Sequence, residues 1–329
     1  MMKKAVKAAG SAWGQRITIL ALICVIMAIF EPIFFRAINA QSILLAISIN
    51  GIMVCGMLFT VLVGGMDLSV GSMAGFTASV TFLIAESFGW SSIGFLYGCC
   101  AGFAACLIAG YINGYFVTKF GLPAFVVTLA MRYVLYGAIY FITRGIYVYA
   151  PGRGPAYGIG NAHLLTIPMP VVIFVIVIAI CAFVLGMTTY GQRLYAIGGN
   201  KRVAILAGVN SDMYTRLTFM ISSVCAGLGG VILASMNTQA GQPTGLGYEG
   251  NVLMAMVVGG INLAGGEGGV PGAIFGALLV GIINNAMTLL SISADYQTFV
   301  QGVVILAAMS LNMYAKRGSA GLASVKVKN

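Results

Sequence analysis

One arginine, one aspartate and a scatter of amides are the side chains in this 329-residue sequence whose types and positions could do chemistry away from water. Arg132 lies well inside an apolar run, where a bare charge costs about 2.5 kcal/mol or more. It must therefore face other helices or a wet cavity, either lining a path or pairing with helix-end carbonyls. Asp67 closes another apolar run, with Ser69 two residues on; it reads either as a helix N-cap or as a hinge or cytoplasmic gate. Asn113, Asn251, Asn284, Asn285 and Gln297 are amides on or near apolar runs. They could offer neutral hydrogen bonds to hydroxyl groups, and interhelical bonding is their commoner use. Glu31, Glu86 and Asp295 fall near run ends and read as solvated.

Signatures of covalent chemistry are missing. No Gly-Lys pair occurs, so there is no Walker A loop, and neither H-E-x-x-H nor G-x-S-x-G appears. Gly245-Leu246-Gly247-Tyr248-Glu249-Gly250 matches G-x-G-x-x-G without a strand-turn-helix context, which makes it a false positive. A single histidine, His163, and seven cysteines without C-x-x-C spacing give no basis for a zinc site. The cysteines (Cys24, Cys55, Cys99, Cys100, Cys106, Cys181, Cys225) read as small packing residues.

The elements that must position these groups follow from composition. Hydrophobic residues make up 60% of the chain and charged residues 7%, against about 25% charged in a soluble domain. Apolar runs recur that are long enough to cross a bilayer, which takes about 20 residues. They are continuous, unlike the alternating strands of a barrel, and the 45 glycines suit close helix packing. The fold class is therefore an all-α polytopic membrane protein. About ten crossings are expected, at 17–35, 42–63, 70–86, 93–117, 123–143, 168–187, 213–236, 249–263, 270–290 and 296–314.

Lysine and arginine then fix the orientation. The tail with Lys3, Lys4, Lys7 and Arg16, then Lys119, the stretch with Arg193, Lys201, Arg202 and Arg216, and the tail with Lys316, Arg317, Lys326 and Lys328 all fall on one side if both termini are cytoplasmic. Arg144 and Arg153 are the exceptions, in a loop rich in Gly, Pro and Tyr (145–167) on the other side. This clustering accounts for the net charge of +10 without nucleic-acid binding. Ile38, at position −3 of a cleavage site after Ala40, fits a signal-peptidase site poorly, so the first run reads as a retained helix. The organisation is a tail (1–16), one membrane domain (17–314) and a second tail (315–329).

Segment 188–210 is amphipathic, moderately basic and divided by Gly198-Gly199; Leu194, Ile197, Ala204 and Ala207 have helical spacing. A connector would need only a few polar residues. The segment is either a docking surface for another protein or a helix lying in the lipid interface. Gly64–Gly71 and Gly259–Gly266 echo one another, as an internal repeat would and as chance would in so glycine-rich a chain.

The 188–210 segment, with its Ala196-Ile197-Gly198-Gly199-Asn200 run, resembles the coupling region of permeases in the ribose/galactose branch of bacterial ATP-binding-cassette (ABC) importers. Gly64-Gly65-Met66-Asp67-Leu68-Ser69-Val70-Gly71-Ser72 is similar to that family's Gly-Gly-Ile-Asp-Leu-Ser-Val-Gly-Ser. Pro123-Ala124-Phe125-Val126-Val127-Thr128-Leu129 resembles its Pro-Phe-x-x-Thr-Leu helix start. Val257–Gly268, with Asn284-Asn285 and Tyr296-Gln297, resembles its C-terminal block. Departures stand at Ile261-Asn262, at Ala286-Met287-Thr288, and at Tyr136, where the family usually has arginine and this chain has Arg132 one turn earlier.

The resemblance implies a sugar/vitamin B12-type bundle that works as a dimer of identical or similar permeases in the bacterial inner membrane. Cytoplasmic ATPase subunits, which bind the ATP and Mg, would grip Gly191, Arg193, Ala196, Ile197, Gly198, Gly199 and Asn200. An extracytoplasmic binding protein would deliver a small polar solute to loops around 145–166 and 237–250. Asp67, Asn113, Phe125, Thr128, Arg132, Asn284, Asn285 and Gln297 are the candidates for the path or gate. The chain itself is expected to hold no cofactor, to catalyse nothing and to bind no nucleic acid. A sugar is the favoured cargo; a nucleoside, an autoinducer-type molecule or a branched-chain amino acid is the runner-up. An ion-coupled carrier would be expected to hold intramembrane carboxylate relays, which the scarcity of acids here disfavours.

Overall fold

A computed structural model describes residues 12–293, 296–307 and 310. Asp295, Lys3, Lys4, Lys7 and the basic groups of the C-terminal tail lie outside the described residues. Six helices are long and apolar enough to cross a membrane. They are α2 (Ala37–Leu62), α4 (Ser92–Lys119), α5 (Ala124–Thr143), α7 (Met169–Met187), α10 (Ser211–Asn237) and α12 (Val270–Leu289). Where the other four crossings are expected lie helices that are shorter or more polar: α1 (Ala12–Phe30), α3 (Val70–Ser87), α11 (Tyr248–Val258) and α13 (Tyr296–Ala307). In α3 the shortfall in hydropathy comes from Ser72, Thr77, Ser79 and Thr81, all buried against protein. The crossing expected at 249–263 ends at Val258, because Gly259 and a left-handed Gly260 turn the chain out of the helix.

α2 is the central post. It is buried on every side from Ile47 to Leu62, as an all-round apolar helix must be, and it packs on α7, α10, α11 and α12. α10 closes against α2, α3 and α4. The helix starts are capped locally: Ser91 accepts from Gly94 N–H, Asn210 from Met213 N–H and Thr188 from Gly191 N–H. Left-handed Arg144 and Thr238 end α5 and α10.

The loop after α5 is structured. β1 (Val148–Tyr149) pairs antiparallel with β4 (Gln239–Ala240), with Val148 opposite Ala240. Between them in sequence come the short α6 (Pro155–Asn161) and a hairpin of β2 (His163–Leu164) with β3 (Ile167–Pro168). Ser235 Oγ fastens α6 to the end of α10, accepting from Gly160 N–H at 2.8 Å and donating to the Ala156 carbonyl at 2.5 Å. The loops around 145–166 and 237–250, widely separated in sequence, thus form one end of the bundle.

Candidate functional site

The Gly64–Ser72 stretch forms a re-entrant loop between α2 and α3, held by side chains from three further helices. Asp67, 1% exposed, accepts at Oδ1 from Ser69 N–H (3.0 Å) and Ser69 Oγ (2.5 Å), and at Oδ2 from Ser222 Oγ of α10 (2.7 Å). Asn113 Nδ2 of α4 donates to Ser69 Oγ at 3.1 Å. Thr128 Oγ1 of α5 donates to the Met66 carbonyl and accepts from Leu68 N–H, each at 3.0 Å. The residue at the N-cap position of α3 is Ser69, not Asp67. Asp67 fixes the turn that precedes the helix, which corrects the N-cap reading. Three of the expected path residues, Asp67, Asn113 and Thr128, are therefore parts of one network. Phe125, on the same helix as Thr128, stands exposed on the outer face.

The next residue of the motif, Gly71, meets the loop before α11. A methyl group at Gly71 would lie 2.4 Å from the Gly245 carbonyl oxygen and 2.2 Å from Glu249 Oε2. Gly245 itself is left-handed (φ +80°) and as close to the Gly71 carbonyl. This two-glycine contact lets α11 start deep beside α3, and it explains Gly245, the first glycine of the discounted G-x-G-x-x-G match. It also delivers Glu249, 9% exposed, to Arg132: Nη2 to Oε1 is 2.6 Å. Arg132 thus pairs with a carboxylate rather than with helix-end carbonyls. Its guanidinium also lies over the Tyr136 ring, 5.6 Å from the centroid.

The remaining amides separate. Asn284 Nδ2 donates to Asn251 Oδ1 (2.9 Å), which also accepts from Gln301 Nε2 (2.9 Å), joining α11, α12 and α13. Asn285 faces the other way and exchanges reciprocal bonds with Asn39 of α2, at 2.8 and 3.0 Å. Gln297 donates to the Ile292 carbonyl within its own turn and joins neither group. Glu249, Ser222, Asn39 and Gln301 were not among the expected site residues. For Glu249 a signal existed: a buried arginine needs a counter-charge, and the chain has only seven acids.

Segment 188–210 folds as α8 (Thr189–Gly199) and α9 (Lys201–Leu206), with Asn200 capping α9 through Val203 N–H. Leu194, Ile197 and Ala204 face protein and join the main core, whereas Ala207 is exposed. Gly198 is wedged into the bundle: a methyl group there would lie 1.9 Å from the Leu62 carbonyl oxygen and 2.4 Å from Gly266 N. Gly266 N–H in turn donates to that carbonyl at 2.9 Å. The two echoing glycine stretches are thus brought together at Leu62–Gly64 and Ala264–Gly266 beneath α8. Tyr195 Oη donates to the Gly268 carbonyl (2.9 Å), and Arg193 Nη1 donates to Tyr214 Oη. Burial pushes the Tyr190 and Tyr195 phenols above their ordinary range. The outward side carries Ala196, Gly199, Lys201, Arg202, Val203, Ile205 and Leu206, the last 83% exposed.

Residues 39–309 match the family described as branched-chain amino acid transport system / permease component. The chain belongs to this permease family. It is 35% identical over 314 residues to the L-arabinose transport system permease protein AraH of Escherichia coli (strain K12), covering 94% of this chain and 93% of the relative. It is 33% identical over 296 residues to the ribose import permease protein RbsC of Bacillus subtilis (strain 168), covering 89% and 90%. It is 32% identical over 298 residues to the D-allose transport system permease protein AlsC of Escherichia coli (strain K12), covering 89% of each. No solved structure matches the chain. The permease is a multi-pass protein of the inner membrane, and among the described residues no group of metal-ligating side chains could hold an ion.

Proposed function

We propose that this permease forms, with a second identical or similar subunit, the membrane path of an ATP-driven importer of a sugar. The α8–α9 segment would be the face gripped by a separate ATPase, which alone binds ATP and Mg. The observation that carries this reading is the seating of Gly198 between Leu62 and Gly266. It ties the segment rigidly to the loops that end α2 and follow α11, while leaving an exposed outer side of apolar and basic residues, of which Lys201 pairs with Asp212 at 3.5 Å. A push on α8 would therefore be passed into the membrane helices rather than absorbed by a slack connector. The named sugars of AraH, RbsC and AlsC support the cargo class.

In this reading both termini are cytoplasmic and ten helices cross, α1, α3, α11 and α13 included. The β1–β4 end of the bundle faces outward and receives the solute-binding protein. The path runs past Arg132, with the Asp67–Asn113–Thr128 network as its inner gate and the Asn251–Asn284–Gln301 amides on the other flank of α11. Phe125, exposed on α5, would face the second subunit; Asn285 and Gln297 would support helix ends and not line the path.

The test is uptake of labelled L-arabinose, D-ribose and D-allose by cells that express the complete importer and lack other sugar permeases. Uptake of one of them should stop when ATP hydrolysis is blocked with the ion gradient intact. Continued accumulation would sink the ATP-driven reading in favour of an ion-coupled carrier.

A further inference from the structure

The Arg132–Glu249 pair is under-bonded for a purely structural staple. An ion pair that serves only to hold helices together in a dry interior normally has its remaining hydrogen-bonding capacity satisfied by neighbouring groups, because each buried polar atom left alone is costly. Here one contact, Nη2 to Oε1, uses one atom from each partner. Among the described residues Arg132 Nε and Glu249 Oε2 are buried without a hydrogen-bond partner, and the buried Tyr136 hydroxyl has no partner other than the adjoining Arg132 guanidinium. One donor, one acceptor and one group that can do either are thus gathered around a single charge pair.

No other group among the described residues takes up these atoms, yet the site opens toward one side. The Arg132 side chain is 27% exposed. The adjoining face of α5 carries exposed Tyr133 and Tyr140, and Gly137 has open space beside it. Glu249 Oε2 lies against Gly71, so reaching it requires α3 and α11 to part.

We infer that Arg132, Glu249 and Tyr136 form a contact site for the hydroxyl groups of the transported solute, a neutral polyol. This rests on the importer reading above and names the chemistry of its path. The pattern of bonded and unbonded atoms selects the ligand class. The charges already compensate one another through Nη2 and Oε1, leaving Nε to donate and Oε2 to accept. Adjacent hydroxyls of a sugar accept from Nε and donate to Oε2 while the ion pair stays closed, and Tyr136 meets a third. An amino-acid zwitterion would have to break the pair and take each charge separately. An anion or a cation would leave one partner uncompensated in a low-dielectric setting.

The test uses the complete importer in cells, with labelled L-arabinose, D-ribose, D-allose and L-leucine as probes. Variants are E249Q, Y136F, the charge swap R132E/E249R and the apolar pair R132M/E249M. Initial uptake at saturating solute is read beside the thermal unfolding midpoint of the purified complex. E249Q and Y136F should each cut sugar uptake at least tenfold or change the ratio among the three sugars. The charge swap should recover the unfolding midpoint of the wild type without recovering uptake. Wild-type uptake in either double variant would overturn the site and leave the pair as a staple, with the importer reading intact. A wild type that carries leucine and none of the sugars would overturn the cargo reading itself.

Discussion

Gly71 and Glu249 touch across the junction of α3 and α11, so closely that a single methyl group on Gly71 would sit 2.2 Å from the Glu249 carboxylate. The glycine of the re-entrant loop therefore exists for a residue far along the chain, and through it for Arg132. Replacing Gly71 with alanine should displace Glu249 and loosen the 2.6 Å ion pair. Overpacking of this kind costs about 1–3 kcal/mol. The G71A complex should unfold at a lower temperature than the wild type. A midpoint equal to that of the wild type would mean that α3 and α11 are not held this tightly.

The adjacent glycines of α8 give a paired experiment. Alanine at Gly198 would collide with the Leu62 carbonyl, whereas Gly199 has nothing within 4 Å. G198A should lower both the unfolding midpoint and co-purification with the ATPase. A bulky G199L should leave the midpoint near the wild-type value and still lose the ATPase, because its side chain enters the docking face. Full retention of the ATPase by G199L would refute docking at this surface, and R193A on the same face serves as an independent check.

Asp67 accepts from Ser69 and Ser222 at once. Hydrogen bonds to a charged group are worth about 1.5–3 kcal/mol each. D67A strips both oxygens and leaves Ser69 Oγ and Ser222 Oγ without their acceptor, so it should be the most destabilising change in the loop. D67N keeps one carbonyl acceptor and should fall between D67A and the wild type in midpoint. Equal midpoints for all three would show that the loop does not depend on these bonds.

Asn39 and Asn285 exchange two bonds between α2 and α12. Interhelical polar bonds in membranes have coupling energies averaging about 0.6 kcal/mol, with a maximum near 1.7. In a double-mutant cycle N39A and N285A should be clearly non-additive, each single change costing nearly as much as the pair. The same cycle between Asn39 and Asn284 should be additive, since Asn284 bonds Asn251 instead. Coupling in the second cycle would mean that the two amides share a site.

Much of this was legible in the sequence. Helix positions follow from runs of apolar residues, and the amphipathic character of segment 188–210 from its helical spacing and basic charge, because both are local properties. Segment 188–210 forms two helices, but the break falls at Asn200 and not at Gly198-Gly199, which end the first helix; Leu194 and Ile197 turned inward as their spacing requires. The need of Arg132 for a protected partner was equally plain, since desolvation of a charge is independent of fold.

Which partner it finds is a property of the tertiary structure alone. Glu249 looks like a residue at the end of a crossing until the Gly71–Gly245 contact draws the start of α11 in beside α3. The consecutive amides Asn284 and Asn285 look alike in sequence, yet one helical step turns them toward different neighbours, α11 and α2. Asp67 reads as a cap because a carboxylate before a helix usually is one; Ser222, brought up by α10, makes it a tie between helices. Local sequence fixes where helices begin and which side is greasy. The crossing of distant helices decides which polar atoms are satisfied and which are not.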